Sequence, residues 1–254
     1  MTGNKVSIVV GGTGGIGSHI VLKLADAGSD IVLVYRSAEE KAAELKRKIE
    51  AAGRECMLVR ADVSNHGEVQ SFVSKVIERF GRIDALVNTQ GWLHELHLFH
   101  EDTIENFQQT INTELWSVIY CCKAVIPQMI KQGSGRIVTV GSDSGKVGSL
   151  AEAVSSAARG GVIALSKSLA RELARHKINV NTVCPGPTET GLFDRMLSTP
   201  GFTGKVMQSM TRAIPMRRLA HAEEVADVAV FLASGGSTYV TGQAISVSGG
   251  LTMS

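Results

Sequence analysis

The chain has 254 residues, 44% of them hydrophobic, enough for one large α/β domain with a full core. A formal net charge of +2 gives no electrostatic reason for a nucleic-acid or membrane-surface partner, and there is no apolar run of about 18 residues to span a membrane. The N-terminus enters a strand pattern without signal-peptide zoning. The cysteines, Cys56, Cys121, Cys122 and Cys184, fit neither a disulfide framework nor a zinc knuckle, so a cytoplasmic protein with reduced thiols is expected.

KVSIVV (5–10) reads as the first strand, and VVGGTGGIGSHI then turns into a helix ending near Gly28. Gly11, Gly15 and Gly17 fit G-x3-G-x-G; Gly12, Gly14 and Gly17 also fit G-x-G-x-x-G. Missing β-carbons let such a backbone turn tightly against a pyrophosphate, and a helix N-terminus supplies free N–H donors, so Gly11, Thr13, Gly15, Ile16 and Gly17 are expected to hold a dinucleotide. The second strand, DIVLVY (30–35), ends at Tyr35 and is followed by Arg36 and Ser37. A site for NAD(H) usually has an acid here for the ribose 2′-OH. Arginine suits a 2′-phosphate, so NADP(H) is expected over NAD(H). The alternative makes Arg36 only a solvated charge.

A charged helical pattern (38–53) leads to strand CMLVR (56–60), and HGEVQSFVSKVIERFG (66–81) leads to strand IDALVN (83–88). The next loop, GWLHELHLFHED, carries His94, His97 and His100. Its H-x2-H-x2-H spacing raises a metal but is not the H-E-x-x-H zinc helix, and surface histidines are the plainer reading; no metal is expected. One long helical pattern (101–133) starts at Asp102 or Thr103. Strand RIVTVG (136–141), a helical stretch over 152–175 and strand INVNTVC (178–184) come next. Residues 186–216, rich in Gly, Pro, Met and Thr, read as an irregular lid, and QAISVS (243–248) as the last strand. Alternating apolar strands and helices predict one doubly wound domain over 1–254, its parallel sheet covered on both faces and its ligands at the carboxyl ends of the strands.

GGTGGIG, ADVS (61–64), NTQG (88–91), Asn112, VGSDSG (140–145) and CPGPTET (184–190) occur in the order and spacing of the short-chain dehydrogenase/reductase family, which the chain resembles from about Lys5 to Gly250. The resemblance implies a Rossmann-like fold with a seven-stranded parallel sheet and a homotetramer paired through helices 103–131 and 152–175. It implies that Asp62, next to Val63, binds adenine and that Asn88 and Gly91 line the cofactor cleft. Asn112 would hold a water in a proton relay, Ser142 would bind the substrate oxygen, and Pro185, Gly186 and Thr190 would flank the nicotinamide and phosphates. The closing GQAISVSGGLTM and CPGPTET are similar to members acting on alicyclic hydroxyacyl-CoA substrates.

One departure stands out. The family's Tyr-x-x-x-Lys, counted from Ser142, falls on Ser155 and Arg159. A serine is a far weaker acid than a tyrosine beside a cation, and its oxygen lies roughly 5 Å nearer the backbone than a phenol oxygen. Arginine keeps the charge and can donate to ribose hydroxyls, but does not pass a proton on. General acid catalysis contributes about 100- to 10,000-fold. The expected activity is thus an NADP(H)-dependent interconversion of a carbonyl and a secondary alcohol with altered proton donation, on a small substrate of bulky, alicyclic or acyl-CoA type. The candidate catalytic residues are Ser142, Asn112, Ser155 and Arg159, with His94 a possible stand-in acid. The alternatives are a catalytically impaired cofactor-binding homologue serving as partner subunit, sensor or scaffold, and a non-redox reaction in the same cleft.

Overall fold

The structure, a computed structural model, describes residues 4–91 and 96–254. The first half alternates strand and helix: β1 (Lys5–Val10), α1 (Gly15–Asp26), β2 (Ser29–Tyr35), α2 (Glu39–Ala51), β3 (Cys56–Arg60), α3 (His66–Phe80) and β4 (Ala85–Asn88). Then come α4 (Ile104–Ile111), a π turn (Asn112–Trp116), α5 (Ser117–Gln132), β5 (Gly135–Val140), α6 (Ser144–Val147), α7 (Ala153–Leu173) and β6 (Ile178–Pro185). The chain closes with β7 (Thr188–Glu189), α8 (Gly191–Ser198), α9 (Phe202–Ala213), β8 (Ala220–His221), α10 (Ala222–Ala233) and β9 (Ala244–Val247).

The main sheet has seven parallel strands in the order β3-β2-β1-β4-β5-β6-β9. Its central strands are buried along nearly their whole length, which is why β2 and β4 read as near-continuous apolar runs, while β6 buries Asn179, Asn181 and Thr182 among its apolar residues. Ile8, Val34 and Leu86 face α3, α5 and α7 through Val73, Val125 and Val162. Val9, Leu33 and Val87 face α1, α2 and α10 through Ile20, Leu45 and Val225.

Local signals place the helix ends. Asn65 accepts from the N–H groups of Gly67 and Glu68 at the start of α3, and Gly81 ends that helix with φ 70°. Thr103 accepts from Asn106 N–H to start α4, a cap worth about 1 kcal/mol. The long pattern after it is not one regular helix, because the π turn at Asn112–Trp116 inserts a wider turn between α4 and α5. Such turns recur at functional sites.

Strand order reverses between β1 and β4, so the carboxyl ends of these strands open a crevice holding Gly11 on one side and Asn88–Gly91 on the other. The segment expected to be irregular at 186–216 is instead mostly helical, carrying α8 and α9. Both are amphipathic and bury Phe193, Val206 and Met207 against Leu96. That shared apolar face stabilises helices that the Gly, Pro and Thr content argues against.

Candidate active site

The crevice is a cleft of about 390 Å³. Gly11, Thr13, Arg36, Asp62, Val63 and Gly91 line it. Gly11 has φ 74°, a left-handed turn that returns the chain toward α1. A β-carbon on Gly17 would lie 2.2 Å from the Gly11 carbonyl oxygen, so only glycine lets α1 pack under the loop. The first turn of α1 carries no acidic side chain and its N-cap, Gly14, no side-chain cap, so its N–H groups are open to an anion.

Arg36 is exposed at the end of β2 and acts electrostatically on Asp62 across the cleft. The Ser64 hydroxyl at 2.7 Å, with lesser help from its backbone N–H and from Arg36, holds the Asp62 carboxyl below the usual carboxylate range despite partial burial. These residues fit a dinucleotide: a glycine cradle, a helix N-terminus and, beyond them, a cation beside an ionised carboxylate. The buried Oε1 of Gln90 and Oδ1 of Asn88 lack hydrogen-bond partners among the described residues and leave acceptors at this end of the sheet.

Gly15, Ile16, Gly17, Asn88, Pro185, Gly186 and Thr190 are not among the residues that line this cleft. Asn88 is buried and donates to Thr139 Oγ1 at 3.3 Å. A β-carbon on Gly15 would lie 2.7 Å from Thr190 Cγ2, so the loop and the start of α8 touch near Ile16. Thr190 spends its hydroxyl capping α8 at Phe193 N–H. Gly186, after Pro185, packs against Ser248 at the end of β9.

The positions expected to carry proton transfer are arranged differently. Ser142, after β5, accepts from the Ser144 N–H at 3.2 Å and the Ser144 hydroxyl at 2.9 Å. Asn112 is exposed, at the head of the π turn. The residue that this turn drives inward is Glu114, only 3% exposed. Its Oε1 accepts from Arg159 Nη2 at 2.9 Å, and its Oε2 from the Ser155 hydroxyl at 2.7 Å. Arg159 is 8% exposed and also donates through Nη1 to the Val140 carbonyl at 3.2 Å. A β-carbon on Gly91 would sit 3.1 Å from Arg159 Nη2, which places the guanidinium directly beneath the cofactor cleft.

Ser155 and Arg159 thus do share a helix face, and the face is closed by a carboxylate. Among the described residues, neither Asn112 nor Ser142 hydrogen-bonds to Ser155 or Arg159. His94 and Trp92 lie outside the described residues; His97 lines a small cavity beside Ser155. Among the described residues no group of His, Cys, Asp and Glu side chains could hold a metal.

Sequence reasoning missed Glu114, and also Gln90, Thr113, Ser117 and Arg195, which line the cleft. Gln90 donates to the Ser117 hydroxyl at 2.8 Å and so ties the β4 end to α5. A signal for Glu114 existed: it is the sole acidic residue between positions 106 and 142. Cys184, next to last in β6, is buried, and burial pushes its thiol up to about 11.

A family model described as enoyl-(acyl carrier protein) reductase matches residues 11–252. The chain is 34% identical over 249 residues to a 3-oxoacyl-(acyl-carrier-protein) reductase FabG of Staphylococcus aureus, covering 98% of each sequence. It is 37% identical over 252 residues to a protein of the same name from Chlamydia pneumoniae, covering 99% of this chain and 98% of that one. Among solved structures, levodione reductase superposes with a TM-score of 0.90 at 29% identity, over 97% of this chain and 96% of that one. The structure of gox2181 does so with a TM-score of 0.90 at 31% identity, over 98% and 95%.

Proposed function

Because the chain belongs to the short-chain dehydrogenase/reductase family of oxidoreductases, we propose that it interconverts a ketone and a secondary alcohol with NADP(H) as its cofactor. The observation that carries the cofactor reading is the cleft itself. A glycine cradle opens into the same space as Arg36, and β2 ends in Tyr35 where an acid would favour NAD(H). Arg36 meets a 2′-phosphate with charge-assisted bonds.

When bound, NADP(H) supplies or accepts the hydride. The protein's part is to orient the carbonyl carbon and manage the charge on its oxygen. Ser142 is the hydroxyl at the end of β5 that would hold that oxygen. Arg159, fixed by Glu114 and the Val140 carbonyl, sets a cation beneath Gly91 at the cofactor side. Fixed dipoles and charges of this kind stabilise a developing alkoxide without reorganising.

A 3-oxoacyl thioester is the substrate class we favour, since relatives over nearly the full length are named for that reduction. The lid helices α8 and α9 present Leu192 and Phe202 as exposed apolar side chains that suit a bulky or acyl ligand. A homotetramer paired through α4–α5 and α7 is part of this proposal. Ile104, Trp116 and Ile130 are large apolar side chains exposed on that surface. The protein is proposed to be cytoplasmic, its four cysteines free and buried. No helix among the described residues is long and apolar enough to cross a membrane.

The test is a steady-state assay with acetoacetyl-CoA and NADPH, run in reverse with 3-hydroxybutyryl-CoA and NADP+, followed by a screen of cyclic ketones. Turnover in either direction supports the proposal. NADPH binding with no turnover on any of them would replace it with a cofactor-binding partner subunit.

A further inference from the structure

The cluster at Ser155 does more than fill the space of a missing tyrosine. Both oxygens of the Glu114 carboxylate accept hydrogen bonds, one from a guanidinium and one from a hydroxyl, which is the pattern of the anion rather than the acid. Ser155 is half-buried, with Glu114 behind it and a small cavity lined by His97, Phe99 and Thr110 in front. Thr113, next to Glu114 on the π turn, lines the cofactor cleft. Glu114 is thus bonded to Ser155 at the small cavity and adjoins the cleft through its chain neighbour Thr113. Among the described residues, the charged and titratable groups around the Ser155–Glu114 pair include Arg159 from α7 and His97, Asp102 and Glu152 at the cavity.

We propose that Ser155 and Glu114 form a proton relay that takes a proton from a secondary alcohol, with Ser155 as the catalytic residue and Glu114 as the residue that positions it and receives its proton. The inference rests on the oxidoreductase reading above. In the oxidation, the alcohol O–H gives its proton to Ser155 Oγ, and Ser155 gives its own proton to Glu114 Oε2. The carbon–oxygen double bond forms as the carbinol hydrogen leaves with its electron pair to the nicotinamide of NADP+. The products are a ketone, NADPH and a protonated Glu114, which returns its proton to water.

A weak base suffices in this direction, because the alcohol oxygen becomes strongly acidic as hydride departs. In the reverse direction the relay must start from a protonated Glu114, whereas the hydrogen bonds at both of its oxygens are those an anion accepts. Without the tyrosine ring, a substrate oxygen must come roughly 5 Å deeper to meet Ser155 Oγ, which selects a slender or flexible carbinol end.

The experiment compares wild type, Ser155→Ala, Ser155→Thr and Glu114→Gln, using 3-hydroxybutyryl-CoA with NADP+ and acetoacetyl-CoA with NADPH. Ser155→Ala leaves the Glu114–Arg159 pair intact and so serves where Glu114→Gln fails to fold. The relay predicts that kcat for oxidation falls about 100-fold or more in Ser155→Ala and in folded Glu114→Gln, with KM and the NADPH Kd within about threefold. Ser155→Thr, which keeps the hydroxyl, recovers most of the rate. Infrared difference spectra of wild type minus Glu114→Gln at neutral pH, without cofactor, show an ionised carboxylate. Wild-type kcat in Ser155→Ala, or a protonated carboxyl at Glu114, would overturn the relay while leaving the oxidoreductase reading in place. No wild-type turnover on any alcohol or ketone, despite bound NADPH, would overturn both.

Discussion

Arg159 and Glu114 meet at 2.9 Å inside the protein, with side chains 9% and 4% exposed. Breaking such a pair leaves one buried charge uncompensated, at a cost of about 3–5 kcal/mol, whereas replacing both partners with apolar groups of similar size is often close to neutral. Glu114→Ala and Arg159→Met should each lower stability by that amount in urea unfolding. The double variant Glu114→Leu with Arg159→Met should recover most of it. Additive losses in the double variant would show that the two side chains are not coupled in solution.

Arg36 lines the cleft and acts electrostatically on Asp62. Arg36→Ala should weaken NADPH binding by about 10- to 100-fold, the worth of a hydrogen bond to a charged group, and leave NADH binding within about threefold. Calorimetric titration of both cofactors checks this. Equal loss for both would move the 2′-phosphate site elsewhere.

Gly17 lies against the backbone of Gly11, and an added β-carbon would also come within 2.8 Å of Thr89 Oγ1. Gly17→Ala should cost about 1–3 kcal/mol through overpacking and loosen the glycine loop, weakening NADPH binding at the same time. Gly28→Ala is the control: nothing lies within 4 Å of its added β-carbon, so the cost there comes only from φ 89° and cofactor binding stays unchanged.

Burial raises the thiols of Cys56 and Cys122 from 9.0 to about 12 and that of Cys184 to about 11, with Cys121 also pushed up. Folded thiols that hold protons more tightly than unfolded ones contribute stability that is fully present below the unfolded value. It is lost as pH rises from about 9 toward the folded values. Urea midpoints should therefore fall as pH rises above about 9, and less steeply in Cys121→Ala with Cys122→Ala once its lower starting stability is subtracted. At pH 7.5 a thiol reagent should label none of the four cysteines in the native protein and all four after denaturation.

The sheet was legible because strands buried on both faces carry dense apolar stretches such as IVLVY in β2 and ALV in β4; KVSIVV matches β1, and CMLVR matches β3, to the residue. The turn from β1 into α1 was legible because its glycines fit a tight loop between a strand and a helix. The lid was not, because Phe193, Val206 and Met207 become a helical core only once Leu96, about a hundred residues away in the chain, is placed among them. The acidic partner of Ser155 was not legible either. A helix of uniform pitch does not reveal the π turn that carries Asn112 to the surface and Glu114 inward, and the contacts it makes are 41 and 45 residues distant. The arginine at 159 was nevertheless a clue, since a buried guanidinium requires an anion.

The most direct measurement is a side-by-side fluorescence titration of wild-type protein with NADPH and NADH. It needs no choice of substrate and reads the cleft, the glycine loop and Arg36 together. The account predicts saturable NADPH binding at least about tenfold tighter than NADH, the minimum expected from one charge-assisted contact to the 2′-phosphate. Equal affinity for both, or binding of neither, would contradict it.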